Sequence, residues 1–346
     1  EFITEITLSS FYTPNIDTYA KTVKEKALLR SLIGASEDIM DLSYRQNEDV
    51  SSILSMAESK IFDISQNKLN EGLIKVGDTL DETVQVINEL SLNDGNITGV
   101  TTGLETIDIK LSGLQPSQLI LLAARPAMGK TALGLTMAWN AAKEGKSVAF
   151  FSLEMSTLQL NYRLLSMVSM IDLEQVMNGR IKDDEWELLF RATKQLAAKA
   201  LYVDETPGIT LSEMRSKLKR LKAEVGVDLV VIDYLQLMQA DGYQENRQNE
   251  IASISRGLKT LSKELNCPIL SLAQLSREAD KRADHKPILS DLRESGAIEQ
   301  DADVVMLLYR EDYYDEENNP NIAKVIVAKH RNGATGILDL FFNKPC

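Results

Sequence analysis

The stretch that decides the fold is Leu119-Ile120-Leu121-Leu122-Ala123-Ala124-Arg125-Pro126-Ala127-Met128-Gly129-Lys130-Thr131. Its first five residues form a continuous apolar run, the pattern of a strand buried on both faces. Its last eight end in Gly-Lys-Thr and open a helical stretch from Ala132 to Lys143. Strand, glycine-containing turn and helix in that order are what a phosphate-binding loop requires. Backbone N–H groups of such a loop point inward and join the positive end of the helix to cradle phosphates. Lys130 then reaches the β/γ-phosphates of a nucleotide, and the Thr131 hydroxyl ligates Mg²⁺. The expected nucleotide-binding set is Arg125, Pro126, Ala127, Met128, Gly129, Lys130, Thr131 and Ala132. The first position of the motif is Ala124 where Gly is usual, the smallest change available. The competing reading, a chance Gly-Lys-Thr turn, lacks a reason for the flanking strand and helix.

A second metal position is expected at the end of another buried strand. Leu229-Val230-Val231-Ile232-Asp233 supplies one, four apolar residues and then a carboxylate that holds the Mg²⁺ shell through water. Many ATPases place a Glu directly after this Asp, but here the position is Tyr234. The general base is therefore sought at the end of Phe150-Phe151-Ser152-Leu153-Glu154, a strand expected beside the loop strand with Glu154 facing the γ-phosphate. Alternatively, Glu154 is only an acidic residue ahead of a helix that begins near Ser156.

Working outward, short apolar runs alternate with helical stretches from Ile97 to the end: Leu119–Ala123, Ser147–Ser152, Ala200–Val203, Asp228–Asp233, Pro268–Ala273, Val304–Tyr309 and Ala323–Ala328. This predicts an α/β fold, a mostly parallel sheet with helices on both faces. Ala323–Ala328 and Gly336–Phe342 are joined through an Asn-Gly connection and predict a hairpin. Upstream, residues 1–68 read as short amphipathic helices, with stripes Ile16, Tyr19, Val23, Leu28, Leu32 and Val50, Ile53, Leu54, Ala57, Ile61, Ile64. Residues 69–92 form a linker helix striped by Val76, Leu80, Val84 and Ile87, which ends at the Leu92-Asn93-Asp94-Gly95-Asn96 breaker. The division is 1–68, 69–96 and 97–346.

The chain has 346 residues, a formal charge of −13, 44% hydrophobic residues, 18 Gly and 8 Pro, which excludes collagen-like and low-complexity readings. Two cysteines, Cys267 and Cys346, and two histidines, His285 and His330, cannot build a disulfide framework or a Cys/His zinc site, and a reducing, cytoplasmic setting follows. No apolar run approaches the ~20 residues that span a bilayer, so no membrane partner is expected. The acidic balance argues against broad coating of nucleic acid but not against a few basic loops inside an acidic body. The run Glu311-Asp312-Tyr313-Tyr314-Asp315-Glu316-Glu317 reads as a solvated turn.

These motifs together resemble the replicative DNA helicase family of the DnaB type. The residues are 123–131, Phe-Ser-Leu-Glu-Met-Ser (151–156), Val-Ile-Asp-Tyr-Leu-Gln-Leu (231–237), Gln-Leu-Ser-Arg (274–277), Asp-Leu-Arg-Glu-Ser-Gly-Ala-Ile-Glu-Gln-Asp-Ala-Asp (291–303) and Ala-Lys-His-Arg-Asn-Gly (328–333). Residues 1–68 resemble only the later part of the family's helical N-terminal collar, so a fragment is expected. The resemblance implies a RecA-like domain in a homohexameric ring, with ATP sites between subunits. It makes Lys130, Glu154 and Asp233 the chain's own catalytic residues and puts Arg163 near the phosphates. It makes Gln274 a γ-phosphate sensor, and Lys329 and Arg331 a finger pair that enters the neighbour's site. Lys329 and Arg331 alternate along a strand and so project to one side. Single-stranded DNA is implied in the channel, held by Arg293, Glu294 and Gly296, with Glu245–Arg256 as a second channel loop. A primase and a helicase loader are implied as partners. Two other readings remain: a RecA-like strand-exchange filament, and a nucleotide-gated ring scaffold without motor activity.

Overall fold

A computed structural model describes residues 16–45, single positions between 50 and 64, and residues 75–92, 97–240, 246–282, 284–315 and 320–346; for some of these, 293–297 among them, it describes the backbone alone. The chain divides into two compact units, Glu1–Glu89 and Leu90–Cys346.

In the first unit one helix of 30 residues, Ile16–Arg45, replaces the expected succession of short ones. The described positions between 50 and 64 are all helical. A 3-10 turn, Val76–Thr79, leads into the helix Leu80–Leu92, whose Leu80, Val84 and Ile87 are exposed together with Val76. The Asn93–Asn96 breaker lies outside the described residues.

The second unit is built on one sheet of eight strands: β1 (Leu119–Ala124), β2 (Val148–Ser152), β3 (Leu201–Asp204), β4 (Leu229–Asp233), β5 (Ile269–Gln274), β6 (Val304–Tyr309), β7 (Ile322–His330) and β8 (Gly336–Phe341). Their spatial order is β3-β2-β4-β5-β1-β6-β7-β8. The first six run parallel, whereas β6–β7 and β7–β8 are antiparallel. The antiparallel part thus begins one strand earlier than the hairpin alone predicts.

The continuous apolar runs have a direct cause. Along β1, Ile120, Leu122 and Ala124 enter one core, while Leu119, Leu121 and Ala123 enter the other. The helix Lys130–Lys143 covers the first face through Leu135, Met137, Ala138 and Trp139. Arg247–Leu265 covers the second through Ile251, Ile254, Leu258 and Leu261. A strand covered on both sides has no face to spare for polar residues. β8, at the sheet edge, alternates half-buried and exposed positions instead.

Two expectations need correction. β2 does not lie beside β1: β4 and β5 stand between them. Nor is the acidic run a solvated turn. Asp312 is 3% exposed, accepts from Arg310 Nε at 3.0 Å and Nη2 at 3.1 Å, and lies 2.8 Å from Lys344 Nζ. Glu311 pairs with Lys324 at 2.7 Å. A carboxylate is buried only when cations and donors replace its water. Although burial works against it, these partners hold the Asp312 carboxyl down at about 2. Glu316 and Glu317 lie outside the described residues.

Candidate nucleotide site

The site gathers at the carboxyl ends of the parallel strands, where open α/β sheets bind ligands. The registers align these ends: Ala124 opposes Gln274, and Ser152 opposes Asp233. Immediately after β1 the chain turns through Ala127 and Gly129, both with positive φ (65° and 95°), and enters the helix at Lys130. At Gly129 a β-carbon would come within 2.9 Å of the Phe342 ring, so both the backbone and the space call for glycine.

Lys130, Thr131 and Asp233 come together, with the carboxylate at the end of a second buried strand as expected. The Thr131 hydroxyl donates to Asp233 Oδ2 at 2.6 Å. Lys130 Nζ is 3.0 Å from Asp233 Oδ1, and the Asp233 side chain is fully buried. Lys130 also stands over the Tyr234 ring, 4.2 Å from its centroid. Tyr234, which carries no role in the sequence reading, thus walls the lysine from below. Its hydroxyl proton is held above the usual range, first by burial and then by Glu154 and Asp233. The contact of Asp233 Oδ1 with Lys130 is ionic and not an aligned hydrogen bond, so this buried oxygen keeps an unfilled acceptor position. With the Thr131 hydroxyl beside it, that oxygen-only donor set fits the shell of Mg²⁺.

Glu154 comes to the same edge although its strand is separated from β1 by two others. The backbone N–H of Leu153 donates to Asp233 O at 2.7 Å, and Ser152 Oγ donates to Met155 O at 2.6 Å, which closes the turn. Glu154 itself is exposed, and among the described residues no cation pairs with it.

Gln274 ends β5, and its backbone is clamped by the side chain of Gln236. Gln236 Nε2 donates to Gln274 O at 3.3 Å, while Gln236 Oε1 accepts from Gln274 N at 3.4 Å. Arg247 in turn donates to the Gln236 carbonyl. Sequence reasoning gave Gln236 no role, although it lies in the 231–237 motif just past the metal Asp strand. Arg163 lines a cavity of 250 Å³ beside the phosphate loop with Gly129, Ala132, Leu133 and Phe342. The Arg125 guanidinium is engaged with Asp280 and Leu275 O. Pro126 and Met128 lie within the loop, Met128 buried.

Lys329 and Arg331 lie far from this edge. Val304, the first residue of β6, opposes both Ile120 of β1 and His330 of β7. His330 is therefore level with the second residue of β1, four residues or about 13 Å of strand from Ala124. β7 ends at His330, so Arg331 is just beyond it. The two side chains still meet on one side. Lys329 Nζ donates to Glu299 O at 2.6 Å and Gln300 O at 3.2 Å, and Arg331 Nη2 donates to Gln300 O at 2.9 Å. Arg331 Nη1 also lies 3.4 Å from Asp303 Oδ1. Burial, and then the neighbouring Arg331, lower the Lys329 pKa. Asp303, quoted only as part of a motif, accepts from Leu119 N at 2.8 Å and Lys259 at 2.6 Å. It ties the start of β1 to the basic pair.

Arg293 falls in a 3-10 segment, Leu289–Ser295, as does Glu294, and Gly296 begins the helix Gly296–Asp301. Their side chains lie outside the description. Of the second expected channel loop, Glu245 lies outside the described residues, and the helix begins at Arg247.

A parallel sheet with a phosphate loop after β1, a buried Asp at the end of β4 and a carboxylate after β2 defines a P-loop nucleotide hydrolase. The chain belongs to the DnaB-like replicative DNA helicases: residues 99–346 match the family described as DnaB-like helicase C terminal domain. Members are ATP-hydrolysing enzymes, and so is this chain. It is 43% identical over 346 residues to the "Replicative DNA helicase DnaC" of Bacillus subtilis (strain 168), covering 99% of this chain and 76% of that protein. A solved structure described as an ATPase domain superposes with a TM-score of 0.75 at 37% identity, covering 78% of this chain and 97% of that one. Another, "The Structure Of A DnaB-Like Replicative Helicase And Its Interactions With Primase", superposes with a TM-score of 0.83 at 33% identity, covering 99% of this chain and 81% of that one.

Proposed function

We propose that the chain forms a homohexameric ring whose ATP hydrolysis at subunit boundaries drives movement along single-stranded DNA and unwinds duplex at the replication fork. The observation that carries this reading is the position of Lys329 and Arg331. They stand at the opposite end of the strands from their own phosphate loop, which supports a role at a neighbouring subunit's phosphate. The exposed stripe Val76, Leu80, Val84 and Ile87 supports assembly, since a second copy can bury it. We divide the chain accordingly into a collar part (1–68), a linker (69–96) and a motor (97–346). Mass in solution with ATP and Mg²⁺ tests the ring: a hexamer is expected, and a broad open polymer would mean a filament instead.

Within one site, the loop amides and Lys130 bind the phosphates. Mg²⁺ held by Thr131 and, through water, by Asp233 would neutralise phosphate charge. Glu154 takes the proton from the attacking water, Gln274 senses the γ-phosphate, and Arg163 adds positive charge from the cavity beside Gly129. Glu154→Gln is expected to keep nucleotide affinity and lose turnover by about 10²–10⁴-fold, the usual contribution of a general base. Equilibrium nucleotide binding beside single-turnover hydrolysis checks this; loss of binding together with turnover would make Glu154 structural.

Single-stranded DNA is gripped by its phosphates through Arg293, with Gly296 allowing close backbone approach and Glu294 orienting Arg293. An overall charge of −13 is consistent with a few local contacts inside an acidic ring. Arg293→Ala is expected to weaken binding of all single-stranded sequences alike and to reduce the slope of log affinity against log salt by ~0.7, the value of one phosphate contact. Titrations at several salt concentrations read both, and an unchanged slope would put the DNA path elsewhere. A primase partner is in keeping with the second superposed structure, a DnaB-like replicative helicase described with its interactions with primase. A helicase loader and action in the cytoplasm complete the proposal. Among the described residues no helix is long and apolar enough to cross a membrane.

A further inference from the structure

Residues 275–291 run from the end of β5 to the segment that carries Arg293, and two arginine–carboxylate pairs tie them down. At one end Arg125, in the phosphate loop, donates through Nε to Asp280 Oδ2 at 2.9 Å and through Nη1 to Leu275 O at 2.8 Å, and its Nη2 lies 2.6 Å from Asp280 Oδ2. At the other end Arg282 Nη1 donates to Asp291 Oδ1 at 2.9 Å, and Nη2 contacts the second oxygen of the same carboxylate. Asp291 is 2% exposed and also accepts, through its carbonyl, from Ser276 N at 2.9 Å.

Asp280 has a further partner. The Tyr314 hydroxyl donates to Asp280 Oδ1 at 2.9 Å, and the His285 ring stacks on Tyr314 with centroids 4.2 Å apart and planes within 10°. Both Asp280 oxygens are thus used, one by a guanidinium and one by a phenol. The bond from Arg125, ahead of that from Tyr314, keeps the Asp280 carboxyl below its usual range. A planar guanidinium held through all three of its nitrogens resists rotation, and charge-assisted pairs of this kind are the strong ones.

We infer that Asp280 is a positioning residue that couples the phosphate loop to the DNA-contacting segment, through its grip on Arg125 and the Arg282–Asp291 tie. This rests on the ring-motor reading above and adds a second linkage beside Gln274. A change in the phosphate loop moves Arg125; Arg125 carries Asp280 and residues 275–291 with it; the Asp291 end delivers the displacement two residues before Arg293. Coupling of this sort needs two sites biasing one tied element, not proximity alone.

The test compares Asp280→Asn, Asp280→Glu and Tyr314→Phe in hexamers of the full chain. ATP turnover is measured with and without saturating oligothymidylate, with kcat and KM separated. Asp280→Asn is expected to hold DNA-free kcat within about twofold and to lose about tenfold in stimulation by DNA, an ordinary size for coupling between sites. Asp280→Glu should restore part of the stimulation. Tyr314→Phe, which removes one oxygen and leaves the ring stack, should lose less in the same pattern, and it carries the test if Asp280→Asn does not fold. The inference is overturned if DNA-free and DNA-stimulated kcat fall in proportion, if neither changes, or if the parent shows no stimulation. Lys130→Ala and Arg293→Ala run alongside. Turnover surviving in the first, or unchanged DNA affinity in the second, sinks the site reading itself. Proportional loss in Asp280→Asn with both controls behaving sinks only the coupling.

Discussion

Lys130→Ala is expected to abolish ATP hydrolysis, a loss of about 10²–10³-fold or more, the range for removing one preorganised group from a developing charge. The cause lies in the site's geometry. Lys130 is the cation at the mouth of the loop, 12% exposed and held 3.0 Å from Asp233. The same pair gives a second effect. With Lys130 gone, a fully buried carboxylate keeps, among the described residues, only the Thr131 hydroxyl as a side-chain partner. Removing one member of a buried ion pair costs about 3–5 kcal/mol where the remaining charge cannot be rehydrated. Lys130→Ala should therefore also lower the denaturation midpoint. The double variant Lys130→Ala/Asp233→Asn should regain much of that stability and none of the activity. Measuring both in parallel separates an inactive site from a loosened fold. Parent-level turnover in Lys130→Ala would remove the phosphate-loop assignment altogether.

Arg331→Ala is expected to eliminate most hydrolysis, roughly 10³-fold or more by the usual worth of an arginine finger, while nucleotide still binds to the Lys130 of the same chain. The reason is positional. Arg331 lies beyond the end of β7, level with the start of β1, and the phosphate loop follows the end of β1. Its local contacts are a carbonyl at 2.9 Å and Asp303 at 3.4 Å, with the side chain 49% exposed. The buried Asp303 keeps Leu119 N at 2.8 Å and Lys259 at 2.6 Å when Arg331 is removed, so the fold should survive. Mixing Arg331→Ala with Lys130→Ala should restore some turnover. In a mixed ring, some interfaces set an intact Lys130 against an intact Arg331, although each parent is inactive. ATPase activity across mixing ratios, after hexamers are confirmed, reads the effect, given subunit exchange and sites that fire without an unbroken circuit. If Arg331→Ala alone turns over ATP at the parent rate in hexamers, the finger role is wrong.

Asp233 shows why some of the site was legible and some was not. Four apolar residues and a terminal carboxylate identify a buried strand end, and a metal-binding loop elsewhere needs such a partner. That inference holds across the 102 residues that separate Thr131 from Asp233. Glu154 was legible in the same way, as a carboxylate ending a strand, but its expected place beside β1 was not correct. Strand composition reports burial on both faces; it carries no label for the neighbour, and β4 and β5 fill the gap. Tyr234 and Gln236 follow the metal Asp by one and three residues and look ordinary in a list. One becomes the wall beneath Lys130 and the other the clamp on Gln274 only when β4 and β5 lie side by side.

By itself the sequence determined what is local in physical origin: the eight strands, with two-faced burial along the central ones, the phosphate loop between strand and helix, and the segments carrying Glu154, Gln274 and the basic pair. Periodicity, turn chemistry and motif spacing act over a few residues, so they can be read along the chain. The tertiary structure alone decided which strand stands beside which. It also decided that the Arg125 guanidinium meets Asp280, 155 residues away, and that Lys329 and Arg331 stand at the far end of the sheet from Lys130. It turned Asp312, in the middle of the acidic run, into a buried carboxylate paired with Arg310 and Lys344, and paired Glu311 with Lys324. Those outcomes depend on side chains brought together by packing after long loops close, and a charge looks the same in sequence whether it meets water or a buried partner.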